Sequence, residues 1–137
     1  MKITRECDYA IRITLLLASL GKGDIADAKT ISERQCVPKQ FTLKILRELM
    51  EAGYVKSFKG AHGGYCLNRD AAEISMKDII TAIDGELAIN DCLLCGYKCN
   101  RVDNVNDCPV HRRLEKLNSV IDSELSAISF ADLLADC

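Results

Sequence analysis

The chain has 137 residues, of which 48% are hydrophobic and 28% charged, with a formal net charge of −2. This length suits one compact domain or a small domain with an added arm, and ordinary composition with only two prolines excludes a largely disordered chain. The uncharged run Ile13–Leu20 is much shorter than the ~18 residues of a membrane span, and residues 1–6 lack a signal-peptide pattern. We therefore expect a cytoplasmic protein with no membrane partner.

Charge is distributed unevenly between the two halves of the chain. Residues 1–70 carry 12 Lys and Arg against 8 Asp and Glu, a net charge of +4, whereas residues 71–137 carry 6 against 12, a net charge of −6. A basic segment inside an acidic protein is typical of a nucleic-acid partner that the overall charge conceals.

The first half predicts three helices in a recognisable order. Helical spacing of apolar residues extends over 4–20, between an N-cap at Thr4 and a stop at Gly21. A short helix over 28–35, a break at 36–38 and a second helix over 39–52 follow, and this arrangement is typical of a helix-turn-helix. The residues predicted for the inner face of the second helix are Phe41, Ile45, Leu46 and Leu49.

The period then changes from that of a helix to that of a strand. Residues 54–58 alternate, residues 59–64 form a glycine-rich tip, and residues 65–67 return as a second strand. The pattern predicts a β-hairpin wing whose glycines supply positive φ angles. We therefore predict a mainly α protein with a winged helix-turn-helix domain.

The second half predicts a helix at Ser75–Asp84, a segment of little periodicity, and a long helix opened by Pro109. A narrow apolar seam of coiled-coil type predicts that the long helix forms a homodimer. Its members are Val110, Leu114, Leu117, Ile121, Leu125 and Ile128. A last short helix covers 130–135. The predicted regions are thus a DNA-binding domain (1–85), a cysteine-rich loop (86–108) and a dimerisation region (109–137).

Candidate DNA contacts follow from the winged helix-turn-helix prediction. The second helix enters the major groove by its N-terminal end, and the wing approaches the sugar–phosphate backbone. An ordinary solvated surface is the alternative for each lysine, and a structural role is the alternative for the threonine. The candidates are Lys39, Gln40, Thr42 and Lys44 on the helix, and Lys56, Lys59 and His62 on the wing.

Four of the eight cysteines fall within 17 residues. They are Cys92, Cys95, Cys99 and Cys108, and His111 follows about one helical turn after Cys108. In a reducing compartment clustered thiols indicate metal or redox chemistry rather than structural disulfides. Thiolate and imidazole suit an iron–sulfur cluster or zinc, and scattered ligands in a long loop favour the cluster. A reversible disulfide switch stays open.

The other four cysteines lie outside this segment. Cys7, Cys36 and Cys66 fall in a helix, a turn and a strand, where a free thiol packs as a small hydrophobe. Cys137 is interpreted as a terminal thiol.

Several motifs together resemble the IscR/NsrR/CymR-type regulators of the Rrf2 family. They are the opening residues 1–4 with 8–12, the helix-turn-helix residues 31–35, the wing residues 59–65, and the cysteine loop before the long helix. The resemblance covers nearly the whole chain. It implies a homodimeric, cluster-sensing transcription factor that binds pseudo-palindromic double-stranded operator DNA.

The resemblance also implies a ligand set. Cys92, Cys99 and Cys108 match the three cysteine ligands of the family, and His111 matches the fourth ligand of IscR-like members. Asp8 matches the position that supplies a carboxylate from the partner subunit in NsrR-like members. The spacings are longer than in IscR-like members and Cys95 is an extra thiol. The cluster type (2Fe–2S or 4Fe–4S) and the fourth ligand therefore stay open.

Two other functions compete with this interpretation. One is a DNA-binding regulator that uses zinc or a thiol–disulfide pair without an iron–sulfur cluster. The other is an electron-transfer or cluster-delivery protein that uses its helix-turn-helix for protein contacts. An enzyme is not expected, because the sequence has no phosphate-binding loop and its two histidines, His62 and His111, have no nucleophile–base arrangement.

Overall fold

A computed structural model describes residues 2–21 and 23–137. It confirms the mainly α fold with a winged helix-turn-helix and a long C-terminal helix. The helices are α1 (Arg5–Ser19), α2 (Ala28–Gln35), α3 (Lys39–Glu51), α4 (Met76–Asp84), α5 (Pro109–Ala127) and α6 (Phe130–Ala135), and the strands are β1 (Val55–Phe58) and β2 (Gly64–Leu67). Short 3-10 turns lie at Ala71–Glu73, Asp91–Leu93 and Val105–Asp107.

Side-chain caps explain where the helices begin. Thr4 Oγ1 accepts a hydrogen bond from the Cys7 N–H at 3.1 Å, as predicted for the start of α1. Ser75 and Asp78 form a reciprocal capping box at α4, and Ser129 repeats the arrangement at α6. Because a cap satisfies N–H groups that the helix leaves unpaired, these starts are set by local sequence.

The hydrophobic core surrounds α1. Ala10 and Ile13 pack with Ile45 of α3 and Ile79 of α4, and all four are fully buried. Phe130 of α6 is also fully buried in this cluster. The short C-terminal helix therefore shares the core of the winged domain, although the sequence grouped it with the long helix.

Backbone hydrogen bonds hold this C-terminal return in place. The Phe130 N–H donates to the Ile74 carbonyl at 2.9 Å, and the Met76 N–H donates to the Ile128 carbonyl at 2.9 Å. The chain after α5 is thus paired with the segment that precedes α4.

The helix-turn-helix turn is fixed by backbone geometry. Cys36 ends α2 in the left-handed region at φ 53°, and the Val37 N–H donates to the Ser32 carbonyl at 3.1 Å. Arg12 of α1 donates to the Gln35 carbonyl at 3.2 Å. The Cys36 thiol is exposed, so its interpretation as a packing residue is wrong.

Cys7 and Cys66 are buried, which confirms their interpretation as packing residues. Burial, followed by the nearby Asp84 carboxylate, raises the pKa of the Cys7 thiol to about 12. The Cys7 thiol is therefore neutral inside the core.

The wing is attached to the domain by a backbone bridge. Ala26 and Tyr65 exchange two hydrogen bonds, at 2.8 and 3.1 Å. A Cβ on Gly64 would lie 2.7 Å from the Ala26 carbonyl oxygen, so this glycine is needed for close backbone approach. Only Gly60 of the tip glycines has the predicted positive φ, at 109°.

One face of α5 is uncovered in the single chain. Val110, Leu117 and Val120 are 57%, 56% and 56% exposed. In the described ranges no helix is long and apolar enough to cross a membrane.

Candidate nucleic-acid interface and cysteine segment

Helix α3, the predicted recognition helix, presents polar side chains at its N-terminal end. Lys39 and Gln40 are both exposed in the first turn. Leu43, which is 40% exposed, and the exposed Arg47 continue the same face at spacings of four from Lys39. Leu43 and Arg47 were not among the predicted contacts, although helical spacing from Lys39 was available as a signal.

Thr42 does not belong to this exposed face, and its prediction as a DNA contact is wrong. Its side chain is fully buried. Its hydroxyl lies 3.5 Å from the Val37 carbonyl and 3.3 Å from the Pro38 carbonyl, which ties α3 to the preceding turn. The same helical turn instead exposes Phe41, which was predicted to be buried and whose ring lies 6.4 Å from that of Tyr9.

Lys44 has partners inside the protein. Its Nζ lies 2.7 Å from Glu6 of α1 and 3.9 Å from Glu48 of α3. The hydrogen bond with Glu6 raises the pKa of the Lys44 ammonium. The structure therefore gives Lys44 a bridging position between α1 and α3, and a DNA contact would compete with Glu6.

The three predicted wing contacts are all exposed. Lys56 lies on β1, with its Nζ 5.7 Å from the centre of the Phe58 ring. Lys59 and His62 occupy the turn between the strands. Lysine and histidine thus line the wing at the positions the sequence predicted.

The cysteine segment brings one predicted ligand pair into contact. Cys92 Sγ lies 3.4 Å from Nδ1 of His111. Cys92 is in the 3-10 turn Asp91–Leu93, and His111 is buried in the first turn of α5. The Asn90 side-chain amide also donates to Cys92 Sγ at 3.1 Å.

Arg101 connects two further predicted ligands. Its guanidinium Nη2 donates to Cys108 Sγ at 2.9 Å, and its backbone N–H donates to Cys99 Sγ at 3.4 Å. The pKa of the Cys108 thiol is lowered by the backbone N–H groups of His111 and Val110 at the start of α5, and by Arg101. This environment favours the thiolate, which is the form that binds metal.

Cys95 and Asp8 are not drawn into these contacts. Cys95 is exposed, and its backbone N–H donates to Glu86 at 3.3 Å. Asp8 pairs with Arg12 at 3.3 Å on the exposed face of α1. Over residues 2–21 and 23–137, no three His, Cys, Asp or Glu side chains converge closely enough to hold a metal ion.

The donor chemistry nevertheless fits an iron–sulfur cluster. The segment and the start of α5 supply four soft or borderline ligands, namely Cys92, Cys99, Cys108 and His111. Cys92 contacts His111, and both Cys99 and Cys108 accept hydrogen bonds from Arg101. Binding would require the Cys99 and Cys108 thiols to close on the Cys92–His111 pair.

The beginning of the segment is anchored to α5. Asn118 Oδ1 accepts the Ile89 N–H at 2.9 Å, and Asn118 Nδ2 donates to the Leu87 carbonyl at 3.1 Å. The Asn118 amide thus hydrogen-bonds both a backbone N–H and a backbone carbonyl at the start of the segment. The first residues of the segment are therefore tied directly to the long helix.

The sequence model of the Rrf2 family, described as iron-dependent transcriptional regulators, matches residues 3–136. The chain belongs to the Rrf2 family. This Rrf2 protein is a DNA-binding transcriptional regulator and not an enzyme. A putative helix-turn-helix regulator of Aquifex aeolicus is 30% identical over 126 residues, which are 92% of this chain and 86% of the relative.

Solved structures of other regulators have the same fold. CymR, the global cysteine regulator of Bacillus subtilis, superposes with a TM-score of 0.82 over 100% of this chain and 98% of its own, at 23% identity. IscR of T. potens superposes with a TM-score of 0.76 over 99% of this Rrf2 chain and 88% of its own, at 28% identity. These comparisons confirm the family resemblance predicted from the motifs.

Proposed function

We propose that this Rrf2 protein is a homodimeric iron–sulfur regulator that binds pseudo-palindromic operator DNA and responds to redox state, nitric oxide or cluster supply. The observation that carries the proposal is the contact between Cys92 and His111 at 3.4 Å, with His111 in the first turn of the helix that begins directly after Cys108. It joins the cysteine segment directly to the helix proposed for dimerisation. The family description as iron-dependent regulators supports the same function.

Cys92, Cys99, Cys108 and His111 are the proposed ligands. His111 is favoured as the fourth ligand because it already contacts Cys92, whereas Asp8 is paired with Arg12. When bound, the cluster supplies a centre that oxidants and nitric oxide can alter. The ligating side chains would hold the segment in one conformation, and their release would allow others.

The exposed face of α5 supports the homodimer. Val110, Leu117 and Val120 together leave an apolar stripe that water contacts in the single chain. Pairing two copies through this stripe would bury it and fix the spacing of two recognition helices, which matches a twofold operator.

Two sets of hydrogen bonds support a route from the segment to the DNA-binding domain. Asp84, at the end of α4, accepts the Thr4 N–H at 3.2 Å and the Thr4 hydroxyl at 2.6 Å. Asn118 holds residues 87–89 against α5. Asp84, just before the segment's start, is thus tied to α1, and residues 87–89 are tied to α5, so a change in the conformation of the segment would act on both attachments. Any shift in DNA affinity is limited by the difference in free energy between the two conformations.

Anaerobic purification with iron and sulfide analysis tests the cluster. We expect wild-type protein with visible absorbance and bound iron and sulfide. Replacement of Cys92, Cys99 or Cys108 by alanine should abolish cluster binding. His111→Ala should weaken cluster binding by about 10-fold or more.

Cys95→Ala and Asp8→Ala are the matched controls. Each removes a candidate ligand that does not contact the other proposed ligands in the structure, so both variants should keep the wild-type iron content. Zinc without sulfide would instead support the zinc regulator, and metal-free protein whose DNA affinity depends on thiol oxidation would support the disulfide regulator. Either result would overturn the proposed cluster.

The proposed DNA interface predicts different roles for the helix and the wing. Gln40→Ala should reduce the discrimination between base pairs at one operator position by about 1–3 kcal/mol of binding free energy, because an amide side chain hydrogen-bonds a base edge. Lys56→Gln should weaken binding to all sequences and reduce the salt slope by about 1, because it removes one phosphate contact.

Fluorescence anisotropy over a salt series measures both effects on the operator and on a scrambled duplex. Lys116→Gln on α5, far along the chain from either element, is the control for net charge. A uniform loss for Gln40→Ala, or an unchanged salt slope for Lys56→Gln, would contradict these roles.

A further inference from the structure

We propose that Arg101 sets the reduction potential of the cluster, by donating hydrogen bonds to ligand sulfurs and by placing a positive charge beside them. This inference rests on the proposed function. It assigns a role to a residue that is not itself a ligand and that the motifs of the sequence did not single out.

The contacts of Arg101 point toward sulfur. Nη2 donates to Cys108 Sγ at 2.9 Å, and the backbone N–H donates to Cys99 Sγ at 3.4 Å. Two of the three proposed cysteine ligands therefore share one residue as donor. In the described part of the chain, Arg101 is the only lysine or arginine whose side chain is hydrogen-bonded to a cysteine of the segment.

A second arginine, Arg112, has the backbone contact expected of a purely structural role. Arg112 donates to the Asn106 carbonyl at 2.8 Å and so ties the end of the segment to α5. Arg101 is exposed, and no described hydrogen bond joins its guanidinium to a backbone carbonyl. Its side chain therefore contributes charge and N–H donors at sulfur rather than a backbone anchor.

The physical effect has a definite sign. A thiolate that ligates a metal still has lone pairs that accept N–H donors, and such hydrogen bonds, together with nearby charge, set cluster potentials. Reduction adds one electron, so a positive charge beside the sulfurs stabilises the reduced form and raises the potential.

The test compares three variants of the full-length protein, purified without oxygen. Arg101→Gln removes the charge, and Arg101→Lys keeps the charge but loses the planar fork. Lys98→Gln is the matched control, since it removes one charge from an exposed side chain three residues away that has no described hydrogen bond to a segment sulfur. Iron, sulfide and the midpoint potential from a dithionite titration are measured for each.

We expect equal iron and sulfide contents in all four proteins. The potential of Arg101→Gln should be more negative than that of wild type, Arg101→Lys should lie between them, and Lys98→Gln should move much less than Arg101→Gln. Arg101→Gln should also change the visible spectrum of the cluster, because donors to sulfur perturb the charge-transfer bands.

Equal potentials for Arg101→Gln and Lys98→Gln would overturn the role of Arg101 and leave the proposed function intact. If Arg101→Gln binds no cluster, the midpoint potential of Arg101→Lys provides the test. A potential equal to that of wild type contradicts the proposal, and a lower potential supports it. Wild-type protein without iron and sulfide would overturn the proposed function itself.

Discussion

Phe130→Ala lowers the free energy of unfolding by about 3–5 kcal/mol, the cost of removing a large buried aromatic side chain and leaving a cavity. Phe130 is fully buried in the hydrophobic core, and its helix α6 packs against α1 and the 3-10 turn Ala71–Glu73. The loss is comparable with the whole stability of a small domain. Urea unfolding of metal-free protein, followed by circular dichroism at one protein concentration, measures it.

Phe58→Ala is the matched control for this substitution. Phe58 lies on the wing and is 48% exposed, so its truncation should cost less than about 1 kcal/mol. Equal losses for the two variants would show that the C-terminal helix does not share the core of the winged domain. If Phe130→Ala is too unstable to purify, the refolding yields of Phe130→Ala and Phe130→Leu are compared. The yield should recover with Phe130→Leu, because leucine fills part of the cavity.

The second large effect concerns the uncovered face of α5. The double change Leu117→Glu and Val120→Glu should convert the proposed dimer into a monomer, because two carboxylates would have to be buried in an apolar interface. Operator affinity should then fall by about 100-fold, since two tethered recognition helices gain affinity from their effective concentration. Sedimentation and fluorescence anisotropy measure the two quantities.

Ser119→Glu is the control for added charge on the same helix. Ser119 is exposed, and its hydroxyl donates to the Glu115 carbonyl at 3.0 Å, on a side of α5 away from the apolar stripe. This variant should keep the wild-type mass and operator affinity. A double variant that stays dimeric would show that α5 is not the dimer interface.

Local sequence was sufficient for the helix boundaries. Thr4 caps α1 and Pro109 opens α5 as predicted, and Ser75 and Ser129 cap α4 and α6 through their own side chains. Each of these signals acts within one turn of the chain, so no distant contact is needed to interpret it.

Side-chain exposure at the candidate site needed the fold. Thr42 and Lys44 lie on the recognition helix like Lys39 and Gln40, but the turn before α3 buries the first and Glu6 of α1 pairs with the second. Neither partner could be identified from spacing within α3, because both contacts depend on how helices and turns pack together.

The sequence by itself determined the order of elements, the net positive charge of residues 1–70 and the clustering of cysteines before α5, since composition, caps and periodicity are properties of neighbouring residues. Only the tertiary structure decided that Phe130 returns to the core, that Cys92 contacts His111, and that Arg101 donates to Cys99 and Cys108. The physical reason is that such contacts follow from packing of distant segments and from the path of an irregular loop, neither of which has a periodic signature in the sequence.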